Sequence, residues 1–330
     1  MKRSFVLALA IVLVVAAAGA QETLAGFKTE FENFAGDLAG ALAVNSTIGS
    51  NWSDAYIGKF PHFGVGLTTG AAFTSSGGAD SIFQAVGATE PDVLTKLSLG
   101  LPVPAVGGTF KIGLPFLPMD VGIKGGYVPS SIGTNILGTG VTAQYTNVGL
   151  QVRYALLKQN LLLPNISLGA SYNYQKGSVT APTGLSSQSF TTQTDQGTTT
   201  ITAGAPELAL GWQSNVFDFT AQVSKLLLFV VPYAGVGYTL GTSAVTGGVS
   251  STVGTDYVGG VSALNSYLAA HGGPTLSDQG FTFSANANDP VFRVYGGLSL
   301  RIVVVDLDTQ VIYVPATKAL GTSVTARVQL

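Results

Sequence analysis

Ser323-Val-Thr-Ala-Arg-Val-Gln-Leu330 ends the chain, and in it Val324, Ala326, Val328 and Leu330 alternate with Ser323, Thr325, Arg327 and Gln329. Successive side chains of a strand point to opposite faces, so the segment presents one apolar and one polar face. Such a strand suits a boundary between an apolar medium and water. The same period recurs at Phe63, Val65, Leu67, Thr69, Ala71 and Phe73, and most cleanly where Ile166, Leu168, Ala170, Tyr172 and Tyr174 oppose Asn165, Ser167, Gly169, Ser171, Asn173 and Gln175. Further alternating stretches lie at 109–112, 120–128, 147–156, 217–224, 233–240, 292–302 and 306–313, which predicts ten strands, or twelve if 93–101 and 198–201 contribute.

Composition decides what the apolar face meets. Charged residues are 10% of the chain, against about 25% in ordinary soluble domains. After the first twenty residues no apolar run approaches the roughly 18 residues of a membrane-spanning helix. Connections near Pro115, 158–164, Lys225 and Val304 are short, whereas 74–103, 129–140, 176–209 and 241–290 are long and rich in Gly, Ser and Thr. Membrane barrels pair short turns on one side with long loops on the other and have even strand numbers. Tyr127, Tyr174, Tyr238, Phe292 and Tyr313 stand toward strand ends on the apolar face, as an interfacial girdle requires. The expected fold is all-β: a transmembrane antiparallel up-and-down β-barrel over 61–330. A net charge of -2 gives no electrostatic support for nucleic-acid binding.

The start of the chain reads as an export signal over 1–20: Lys2 and Arg3, an apolar stretch from Phe5 to Ala18, and a small-x-small site at Ala18-Gly-Ala20. With Cys 0, lipoprotein anchoring and disulfides are excluded. In the following segment, 21–60, Leu24, Phe27, Phe31, Phe34, Leu38 and Leu42 recur at helical spacing. They predict an amphipathic helix of about five turns, followed by a turn-rich lead-in at 49–58. The apolar stripe needs a partner, either the barrel rim, as a periplasmic arm, or the lumen, as a plug in which Phe27, Phe31, Phe34 and Leu38 take part.

The terminal Val324-x-Ala326-x-Val328-x-Leu330 is similar to the signal by which bacterial outer-membrane β-barrels are recognised for assembly, with Leu where the usual last residue is aromatic. The blocks Gly149-Leu-Gln-Val-Arg-Tyr154, Pro164-Asn-Ile-Ser-Leu-Gly-Ala-Ser-Tyr172 and Pro232-Tyr-Ala-Gly-Val-Gly-Tyr238 resemble those of an uncharacterised family of such barrels. The resemblance implies a fold, residence in a Gram-negative outer membrane, and outer-membrane lipids and the barrel-assembly machinery as partners. It brings no active site with it.

The polar face carries Lys111, Lys124, Arg153, Arg293, Arg301 and Arg327 against Asp120, Asp218, Asp306 and Asp308, with Gln151, Asn173, Gln175 and Gln222 between them. These are the expected lumen-lining residues. A tight turn at Val303-Val304 would set Arg301 opposite Asp306, and a slipped turn would set it opposite Asp308. Chemistry is otherwise sparse. His62 and His271 are the only histidines, too few for a hydrolytic base with its orienting partner. Asp306 and Asp308 share a face and could hold a cation, but read better as partners of luminal arginines. No cofactor or catalytic residue is expected. Two functions fit: a conduit for small solutes, with the N-terminal helix occluding it, or a closed surface barrel acting through its loops. Gly and Ser on the luminal face leave space and favour the conduit.

Overall fold

The computed structural model describes residues 33–34, 36–38, 41–73, 102–131, 142–182, 186–205, 207–271, 276, 281–288 and 290–330. The expected signal, Phe27, Phe31 and the 93–101 stretch lie outside the described residues.

Ten antiparallel strands close into a barrel: β1 (Phe63–Phe73), β2 (Pro102–Gly113), β3 (Met119–Val128), β4 (Thr142–Leu157), β5 (Asn165–Pro182), β8 (Glu207–Ser224), β9 (Val230–Ser250), β12 (Val291–Ile302), β13 (Val305–Val314) and β14 (Ala319–Gln329). Closure is made by β14 on β1, with Leu67 opposite Ala326. Phe63 and Leu330 exchange main-chain bonds of 3.1 and 2.8 Å, so the C-terminal strand completes the ring. The remaining strands stand outside it. β6 (Gln188–Thr194), β7 (Gly197–Ala203) and β10 (Val253–Thr255) form a separate three-stranded sheet, while β11 (Phe281–Ala287) pairs antiparallel with β9 at Ser243–Val249, past the part of β9 that pairs with β12. The 198–201 stretch is therefore a strand, within β7, but adds nothing to the barrel.

The strands run longer than the sequence pattern suggested. β5 and β8 have 18 residues and β9 has 21, where a tilted strand crosses a membrane in about 9–11. The excess lies at the long-loop end, and there the two faces exchange polarity. On β8 the outward residues Phe219 and Phe217 give way to Asn215 and Gln213, while the inward residues change from Asp218 to Val216 and Trp212. On β4 the exposed Leu150 and Val148 are followed, toward the same end, by Gln144, with Tyr145 inward. An outward side chain has to be apolar only where it meets lipid; beyond that level it meets water, and the interior can be apolar instead. The regions 176–209 and 241–290, read above as long connections, thus contain the ends of β5, β8 and β9, which continue the alternation with its sign reversed.

Candidate functional site: the barrel lumen

Every expected lumen-lining residue except Arg301 is buried, and Arg301 is half-buried. What buries them is the chain's own N-terminal segment. Residues 41–47 are helical, five residues beyond the predicted end at Leu42, and the turn-rich 49–58 stretch runs inside the barrel before the chain enters β1. The segment runs from the long-loop end toward the short-turn end. Phe34, Leu38 and Leu42 pack with Val103, Tyr145, Trp212 and Val245, inward residues of the polarity-reversed zone. Asp54 and Ala55 lie at the opposite end, where the Ser224 hydroxyl accepts from the Ala55 amide at 2.9 Å.

Between these ends Val44 and Ile48 pack with Ala105, Tyr233, Tyr295 and Ile312, and the rest of the attachment is polar and circumferential. Lys111 Nζ donates to the Ser50 carbonyl at 2.7 Å, Arg153 Nη1 to that of Asp54 at 2.7 Å, Gln175 Nε2 to that of Leu42 at 2.9 Å, and Gln222 Nε2 to that of Trp52 at 2.7 Å. Ser50 Oγ donates to Asn173 Oδ1 at 3.1 Å, and Arg327 Nη2 reaches Ser53 Oγ. Lys124 Nζ donates to the carbonyls of Ser46 and Ile48, the latter at 3.1 Å. Those carbonyls belong to the end of the 41–47 helix, where the last C=O groups lack intrahelical partners and the helix dipole favours a cation.

The carboxylates pair with the arginines. Arg153 Nε donates to Asp120 at 3.0 Å, Arg293 grips Asp218 with two donors, and Arg327 lies 3.5 Å from Asp306 and 4.0 Å from Asp308. Arg301 is opposite Asp306 in register, across the two-residue turn at Val303-Val304, and bonds it at 2.9 Å while holding Asp54 at 2.7 Å. Lys111 and Lys124 make no ion pair among the described residues; Lys111 Nζ sits 4.8 Å from the centre of the Trp52 ring, with the Arg327 guanidinium 5.1 Å away.

The luminal glycines acquire a different meaning here. A Cβ at Gly64 would come within 2.5 Å of the Trp52 ring, and one at Gly122 or Gly149 would strike the stems of Lys111 or Lys124. The space they leave is occupied by Trp52 and by the long cations. A pocket beside Ile48, Gly49, Thr68 and Lys124 has a volume of about 10 Å³, enough for one water at most.

Asp54, Trp52, Ser50 and Tyr145 were missed as site residues by the pattern reading. For Asp54 a signal existed: six inward cations face four wall carboxylates, an imbalance that calls for an anion from elsewhere. His62 stands at the short-turn rim, its Nε2 3.1 Å from Gln329 Nε2, and burial holds its imidazole below the ordinary histidine pKa. His271 ends the outer helix Gly260–Ala270, far along the chain from His62 and stacked on Tyr267 at 4.2 Å between ring centres.

No protein-family model matches the chain, and no curated protein matches it in sequence. Among solved structures it is similar to the outer-membrane protease OmpT from Escherichia coli, at 10% identity over 82% of this chain and 97% of that one, with a TM-score of 0.38. It is also similar to the transport unit of the autotransporter AIDA-I from Escherichia coli, at 12% identity over 89% and 98%, with a TM-score of 0.33. The attachment invasion locus protein Ail of Yersinia pestis matches at 8% identity over 81% and 95%, with a TM-score of 0.25. All three are outer-membrane β-barrels, the class to which the closed ten-stranded ring and its outward apolar belt assign this chain.

Proposed function

We propose that the protein is a small-solute conduit of a Gram-negative outer membrane, closed by its own N-terminal segment. The observation that supports this reading is the way the lumen is filled. A narrow barrel that is permanently shut can be filled by the side chains of its wall. Here glycines thin the wall, and a separate stretch of chain takes up the room. Apart from Ile48, its attachments along residues 46–54 are polar and exchangeable with water, each contributing only about 0.5–1.5 kcal/mol net between neutral groups and about 1.5–3 kcal/mol with a charged one. Closure also leaves Asn51 Nδ2, Asn147 Oδ1, Gln151 Oε1 and Asp308 Oδ1 without a partner among the described residues, groups that water would satisfy on opening. In this reading outer-membrane lipids surround the belt, the C-terminal strand is presented to the barrel-assembly machinery, and the short turns face the periplasm.

The absence of native cysteine permits a clean test. Ser50→Cys with Asn173→Cys, at positions whose side chains already touch, should lock the segment by a disulfide. In planar bilayers the full-length variant is expected to be silent when oxidised and to show openings, as the wild type does, when reduced. Conductance indifferent to the lock, or absent from both wild type and reduced variant, rejects the conduit. The second reading, a closed surface barrel, draws on the organised outer layer of β6, β7, β10 and the Gly260–Ala270 helix, with its own buried cluster of Ile201, Tyr257, Leu264 and Leu268.

A further inference from the structure

Resting on the conduit reading, we infer that the opened lumen is selective for small anions and that Lys111 and Lys124 are the residues that make it so. The argument is one of charge and of what leaves with the segment. Six cations point inward from the strands, Lys111, Lys124, Arg153, Arg293, Arg301 and Arg327, against four carboxylates, Asp120, Asp218, Asp306 and Asp308. The fifth carboxylate, Asp54, belongs to the segment. When the segment withdraws, Asp54 goes with it, and the wall of described residues keeps an excess of two positive charges.

That excess has an address. Arg153 and Arg293 keep their wall partners Asp120 and Asp218, and Arg301 and Arg327 keep Asp306 and Asp308. Among the described residues Lys111 and Lys124 have only the segment: the carbonyls of Ser50, Ser46 and Ile48, and the face of Trp52. All are electron-rich groups presented to ammonium donors, so in the closed state the segment's main chain takes the place of an anion. The two lysines are also close together, since Lys111 is opposite Gly122 and Lys124 opposite Thr109 on neighbouring strands, with the same inward facing. Asn147, Gln151 and Asn173 surround them on the inward faces of β4 and β5 and add amide groups able to donate to an anion. A charged ring within a low-dielectric wall raises the local concentration of counter-ions, which sets the sign of selectivity.

The test uses the full-length wild type in a potassium chloride gradient, with chloride as the probe and the reversal potential as the readout. A chloride-to-potassium permeability ratio above unity is expected. Lys111→Gln with Lys124→Gln leaves four wall cations against four carboxylates and keeps amide donors for the segment's carbonyls, so the ratio should fall to unity or below; heat-modifiable mobility shows that this variant is folded. Openings that favour potassium, or a ratio unmoved by the double replacement, overturn the anion assignment and leave the conduit standing. Failure of the wild type to open at all rejects the conduit, and this inference with it.

Discussion

Arg293 on β12 reaches over the whole width of β9 to hold Asp218 on β8, and it crosses at Gly237, its register partner, where any Cβ would strike the guanidinium. Thr239 completes the arrangement, donating to Asp218 Oδ1 at 2.8 Å. Both charges are fully buried. Removing one partner of a buried pair leaves the other uncompensated, at a cost of about 3–5 kcal/mol. Asp218→Asn should therefore melt well below wild type in detergent, and Gly237→Val should do the same by displacing the arginine. An unchanged melting temperature for Asp218→Asn would show that this pair does not help hold β8, β9 and β12 together.

How far the sequence could be read depended on where lipid stops. Within the belt, Leu168 and Phe219 outward with Ser167 and Thr220 inward give the apolar-out, polar-in pattern that located all ten barrel strands. Above it, β8 continues as Gln213 outward and Trp212 inward, with the same period and opposite polarity, so a reading that expects polar interiors ends β4, β5, β8 and β9 too soon. The inward cluster of Val103, Tyr145, Trp212 and Val245 was hidden for the same reason, although it is the partner that the Phe34-Leu38-Leu42 stripe required. Ser50 and Trp52 were illegible on other grounds. They act largely through main-chain carbonyls and ring faces, which leave no periodic trace.

The reversal of polarity has a direct consequence for charge insertion on the outward face. Leu67 is 73% exposed at the middle of β1, and an arginine there should cost about 2–4 kcal/mol near the bilayer midplane. Gln213, also outward, lies above the belt. Leu67→Arg is expected to reduce the yield of folded protein in membranes, whereas Gln213→Arg should insert like wild type. Equal yields would mean that the belt does not end where the faces exchange.

Trp52 reports the position of the segment. Its ring lies on Gly64 between Lys111 and Arg327, and the chain has only Trp 2 in all, the other described tryptophan being Trp212. In a Trp212→Phe background the emission should be blue-shifted and poorly quenched by acrylamide. Gly64→Val fills the place of the ring, so Trp52 should move out of it, with red-shifted emission, greater quenching and more frequent bilayer openings. Emission that stays blue-shifted in Gly64→Val would place the ring elsewhere.

The outer layer should be a separate cooperative unit. Leu264 is fully buried in the cluster with Ile201, Tyr257 and Leu268, and that cluster is distinct from the two formed around the N-terminal segment. Truncating such a leucine costs about 2–5 kcal/mol, and local contacts lose stability without the whole fold doing so when few bonds join them to the rest. Leu264→Ala is therefore expected to open the Gly260–Ala270 helix and the β6–β7 hairpin to proteolysis in reconstituted vesicles. The barrel beneath should keep its heat-modifiable mobility, its melting temperature and, in the reduced lock variant, its openings. A fall in the barrel's own melting temperature would mean that the outer layer and the ring fold as one, and a loss of openings would tie the outer helix to the movement of the segment.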